Sequence, residues 1–141
     1  MIKLAALLCA MLLGTALEPN RTPVLLQAAT APPPTPPEAI AMTNPFKPNP
    51  EAQKHARQIY GYDCALCHGE KGDGKGDVGG KYKLRDWTAV DSLKDKTDGE
   101  LYYTIKNGNG VMPGEAGRGK DEDLWNLVVL VRSFGKCTVT C

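Results

Sequence analysis

Cys64-Ala65-Leu66-Cys67-His68 is the stretch that decides how this chain is read. Its two thiols and its imidazole stand at i, i+3 and i+4, positions that share one face of a helical turn. Donors of this kind on one face suit three chemistries. A structural zinc site needs a second C-x-x-C pair or paired histidines, and the only histidines are His55 and His68. A thioredoxin-like dithiol sits in a βαβ setting, and no alternating strand pattern of useful length occurs. The third is covalent attachment of a c-type haem, whose pattern is C-x-x-C-H. Both sulfurs then reach the haem vinyl groups while the imidazole points at the iron, for which histidine is a good axial ligand.

Iron held by one histidine needs a sixth ligand or keeps an open site. His55 lies upstream of the motif, so bis-histidine ligation has one candidate. Met112 is the better one. It lies in Asn107-Gly108-Asn109-Gly110-Val111-Met112-Pro113-Gly114, where Pro113 favours an extended backbone at the methionine. Met42 sits among prolines and is no rival.

Around these residues the periodicity is helical. Asn49 can cap a helix that Pro50 opens, with Ala52, Ala56, Ile59 and Tyr60 on its inner face. Gly61 is placed to stop it in a left-handed conformation. Residues 69–80 interleave glycine with charge and read as loop. Thr97-Asp98-Gly99-Glu100 is a capping box, with Leu101 and Ile105 on the inner face of the helix it opens and Asn107-Gly108 at its end. Asp121-Glu122-Asp123 suits the start of a last helix. Leu124, Leu127, Val128 and Val131 form its stripe, and Gly135 closes it. The expected fold class is all-α, with three to four helices and long loops. Nearly thirty residues of loop over 69–96 need a reason in a compact domain, and a large buried cofactor supplies one.

The ends read differently. Met1-Ile2-Lys3, the apolar run Leu4 to Gly14 and Gly14-Thr15-Ala16 form a secretory signal over residues 1–16. The run falls short of the roughly 20 residues a span needs, although an uncleaved N-terminus would serve as a membrane tether. Residues 17–48 are a linker whose Pro-rich part, 32–50, is expected to form a polyproline spacer without a packed core. Residues 49–136 are the folded domain and 137–141 a tail. The whole chain carries 17 basic and 16 acidic residues, so no basic excess points to nucleic acid. Of five cysteines, Cys9 lies in the signal and two in the motif. Cys137 and Cys141 are left over in an exported chain, where free thiols oxidise. Lys71, Lys75, Lys81, Lys83 and Arg85 cluster in the long loop and read as a solvated surface balanced by Asp73 and Asp77.

The order of helix, C-x-x-C-H, glycine loop, short helix, methionine loop and terminal helix over residues 49–135 resembles a class I c-type cytochrome. The resemblance implies a small cytochrome c fold around one covalent haem c. Cys64 and Cys67 would be its attachment points, and His68 and Met112 its iron ligands. Trp125 falls near the aromatic position where the first and last helices cross, and Ala56 stands where the family often has glycine. Trp87 resembles the aromatic region near the haem propionates. The glycine loop runs into Asp77 where the family often has proline, which leaves the acceptor for the His68 ring N–H open. The implied function is one-electron transfer, with membrane or periplasmic redox enzymes as donor and acceptor and a periplasmic or otherwise exported location. A dedicated cytochrome subunit of a dehydrogenase or oxidase is the alternative, and a haem enzyme with a labile sixth ligand a more distant one.

Overall fold

A computed structural model describes residues 33–136. The expected signal over 1–16, the first half of the expected linker (17–32), Cys137 and Cys141 lie outside the described residues. The described part is all-α: α1 (Pro37–Ile40), α2 (Pro50–Ile59), a π-turn (Tyr60–Cys64), α3 (Ala65–His68), a 3₁₀ turn (Gly79–Lys81), α4 (Asp98–Asn107) and α5 (Asp121–Phe134). The only β pairing among these residues is an isolated bridge between Asn109 and Met112.

Local sequence rules account for most boundaries. Asn49 caps α2 by accepting from the Ala52 N–H at 2.8 Å, with Pro50 in the first turn. Thr97 and Glu100 form the full capping box of α4: Thr97 Oγ1 accepts from Glu100 N at 3.1 Å, and Glu100 Oε2 accepts from Thr97 N at 2.8 Å. These bonds, with Lys96 beside them, hold the Glu100 carboxyl below its ordinary pKa. The capping contribution is therefore present above the unfolded carboxylate pKa and fades as pH falls through the depressed folded value. Thr97→Ala should cost about 1 kcal/mol of stability, measured as a shift of the denaturant midpoint at constant slope.

The core is α5. Leu124, Trp125, Leu127, Val128 and Leu130 are fully buried along it, because α2 crosses one side and α4 packs on another. Ala56 is buried in the α2–α5 crossing, its methyl small enough for close approach. Trp125 stacks on Tyr102 of α4, ring centroids 4.3 Å apart and 9° from parallel. The one buried polar side chain of the crossing is satisfied: Asn126 accepts from Gln53 Nε2 at 2.9 Å and donates to the Glu122 carbonyl at 2.8 Å.

Two expectations fail here. Gly61 does not end the first helix. The chain runs on through the π-turn, where the Ala65 N–H reaches back five residues to the Tyr60 carbonyl, and the helix stops only at Gly69 with φ 77°. Buried Tyr60 anchors the turn by donating its hydroxyl proton to the Gly69 carbonyl at 2.7 Å, so tertiary contact overrides the local stop. Nor are residues 32–50 a bare spacer. Residues 37–40 form α1 and pack on α4, with Ala39 buried. Thr97 Oγ1 donates to the Ile40 carbonyl at 2.9 Å. Gly99 permits this, since a Cβ there would collide with the Ala39 carbonyl. Proline opens this short helix as readily as it forms a polyproline strand.

A candidate haem pocket

Each motif residue owes its position to backbone pairing around α3. The carbonyls of Leu66, Cys67 and His68 have no partner within so short a helix. The glycine loop supplies one for each: Val78 N–H donates to Leu66 O at 3.1 Å, Gly76 N–H to Cys67 O at 3.2 Å, and Gly74 N–H to His68 O at 2.8 Å. The long loop is thus a fitted cap. Trp87 is drawn into the same assembly, its N–H donating to the Gly72 carbonyl at 2.8 Å. Arg85 grips Asp95 with both terminal nitrogens, at 2.6 and 3.1 Å, so it is an internal clamp within the loop's basic cluster.

Met112 is placed by the bridge, with Asn109 N–H donating to Met112 O at 3.0 Å and Met112 N–H to Asn109 O at 3.1 Å. Glu115 N–H then donates to Ile105 O at 2.9 Å and closes the loop against α4.

Cys64, Cys67, His68 and Met112 all line one cavity of ≈ 530 Å³, within the roughly 300–1,000 Å³ usual for cofactor sites. Leu84, Leu101, Ile105, Leu127 and Val131 give it an apolar wall. His55 is not part of the lining. It stands on the surface with Nε2 3.6 Å from Asp123 Oδ1 at the start of α5. Both motif thiols are free. Burial first, then Glu115 and Asp63, pushes the Cys64 thiol up to about 12. Burial also pulls His68 below its ordinary pKa, which keeps the imidazole neutral and its lone pair available. His68 Nδ1 is buried without a hydrogen-bond partner among the described residues.

Two thiols, a neutral imidazole and a thioether around an apolar wall fit a haem, whose macrocycle is apolar and whose iron takes nitrogen and sulfur ligands. Two features escaped the sequence reading. Arg118 joins two carboxylates beside this cavity, meeting Asp63 at 2.7 Å and Glu115 at 3.3 Å, and Glu115 is buried. Glu115 and Arg118 stand at i and i+3, a pairing signal, but nothing in the sequence links them to Asp63. Trp87 stacks on His68, ring centroids 4.3 Å apart and 19° from parallel, a contact that only the folded loop creates.

The model of the family described as cytochrome C oxidase, cbb3-type, subunit III matches residues 51–131. No curated protein matches the sequence. Among solved structures, the one described as KustC0563 c-type cytochrome is similar at 24% identity and a TM-score of 0.52, covering 56% of this chain and 95% of that one. A chain of a Kuenenia stuttgartiensis reducing HAO-like protein complex is similar at 24% identity and a TM-score of 0.55, covering 64% of this chain and 47% of that one. Both likenesses concern the fold.

Proposed function

Because this chain belongs to the family described as cytochrome C oxidase, cbb3-type, subunit III, c-type cytochromes that carry covalent haem c, we propose that it is an exported one-electron carrier with histidine–methionine axial ligation. The observation that supports this reading best is the convergence of Cys64, Cys67, His68 and Met112 on one apolar cavity. Cys64 and Cys67 would hold the haem through thioethers, and His68 and Met112 would hold its iron. The haem supplies the one-electron couple between ferric and ferrous iron. The chain orients it and excludes water with the aliphatic wall from α4 and α5. A thioether is a softer donor than imidazole and raises the potential relative to bis-histidine ligation. If His68 and Met112 both held the iron, it would offer no open site to a substrate, and the bound group would serve electron transfer. The leader over residues 1–16 belongs to the same proposal, and among the described residues no helix is long and apolar enough to cross a membrane.

Met112→Ala tests the axial assignment. The ferric protein should lose its weak near-infrared sulfur-to-iron band, its potential should fall, and the ferrous form should bind carbon monoxide rapidly. An unchanged spectrum and potential would mean that another residue ligates the iron.

A second reading has its own support. The family description names an oxidase subunit, and one structural relative belongs to a multi-subunit redox complex. A dedicated subunit would co-purify with its oxidase or dehydrogenase from native membranes, and a free carrier would not.

A further inference from the structure

An axial imidazole is ordinarily oriented by an acceptor at its second ring nitrogen. His68 has none among the described residues, its Nδ1 being buried and unpartnered. One feature does constrain the ring. The Trp87 indole lies against it, 4.3 Å between centroids and 19° from parallel, within the range of aromatic stacking.

Trp87 is itself held. Its backbone N–H donates to the Gly72 carbonyl at 2.8 Å, and its backbone carbonyl accepts from Ser92 Oγ at 3.2 Å. Its ring runs 15° from parallel to Phe134, 6.5 Å away, and Phe134 packs on Tyr60 at 5.2 Å. A continuous aromatic path therefore leads from the last turn of α5 to the imidazole. His68 sits at the end of a four-residue helix, and its ring can turn about the side-chain bonds unless something lies against its face.

We propose that Trp87 is the positioning residue for His68, fixing the rotation of the imidazole plane by stacking where a hydrogen-bond acceptor would otherwise do so. The inference rests on His68 as the axial ligand. A ring held by its face keeps Nδ1–H without a carbonyl or carboxylate partner. Such partners raise ligand basicity, so His68 is a weaker donor than a hydrogen-bonded histidine, and the ferrous state gains from that.

Proton NMR on the holoprotein tests this. In the ferrous, diamagnetic protein, nuclear Overhauser contacts should connect the Trp87 indole protons to the His68 ring protons. The His68 protons should also be shifted far upfield by the haem ring current. Ordinary His68 shifts would remove this residue from the iron and sink the ligation itself. Upfield shifts without indole contacts would overturn only the role of Trp87. In the ferric protein the order of the haem methyl resonances reports the imidazole plane. Trp87→Phe, which keeps a stacking face and loses the indole N–H, should preserve that order, and Trp87→Leu should change it. The same order in all three proteins would overturn the proposal, and so would equal disturbance in both variants, which would assign the effect to the indole N–H. If Trp87→Leu does not accumulate as holoprotein, the indole–imidazole contacts in the native protein decide alone.

Discussion

Replacing Cys64 and Cys67 together by alanine should abolish haem retention through acid-acetone extraction. The native protein should keep its haem through the same treatment and weigh one haem more than its polypeptide. The effect is all-or-none because the two kinds of bond fail differently. Acid protonates an imidazole and frees it from iron, whereas a thioether has no proton-labile step. The structure places both sulfurs on the lining of one cavity, Cys64 at the end of the π-turn and Cys67 within α3. Each single replacement leaves one thioether and should still retain haem. Full retention in the double variant would refute the attachment sites.

The haem-free chain should fail to hold this fold. Left unfilled and dry, a cavity of 530 Å³ would cost on the order of 13 kcal/mol at about 24 cal/mol per Å³. That is an upper bound, since the cavity opens to solvent, but it matches the whole stability of a typical domain, about 5–15 kcal/mol. The long loop has few apolar contacts of its own to offset it, and Leu84 and Trp87 turn into the cavity wall. Circular dichroism of the haem-free protein should show much reduced helix and no cooperative melt. A sharp, native-like thermal transition in that protein would contradict the expectation.

The sequence revealed those parts of the fold that local chemistry decides. Asn49-Pro50, the Thr97–Glu100 box and the apolar stripe of α5 each carry their instruction within a few residues, and the helices start where those signals stand. The C-x-x-C-H motif and the methionine loop were legible for the same reason, since spacing along a helix and a proline after Met112 are local facts. Gly61 misled because a glycine permits a stop without requiring one, and the buried Tyr60, bonded to Gly69, carries the helix on. The proline stretch misled because its fate depends on a surface 60 residues away, where Gly99 leaves room for the Ala39 carbonyl. The Asp63–Arg118–Glu115 cluster and the Trp87–His68 stack were invisible, since each joins residues that only the closed loops bring together.

The π-turn converts a length into an angle. A helix advances about 100° per residue, and the turn from Tyr60 to Cys64 accommodates one residue more than an α-helical turn would. The face of α2 that meets α5 and the face of α3 that meets the cavity are therefore related by a fixed rotation as well as by a count of residues. Inserting one further residue between Ile59 and Cys64, where the turn already holds its extra one, would leave C-x-x-C-H, the glycine loop and Met112 intact, and would swing both thiols and the imidazole about 100° off the cavity. The pentapeptide is thus a phase-locked device: it works only at the angle at which the preceding helix delivers it.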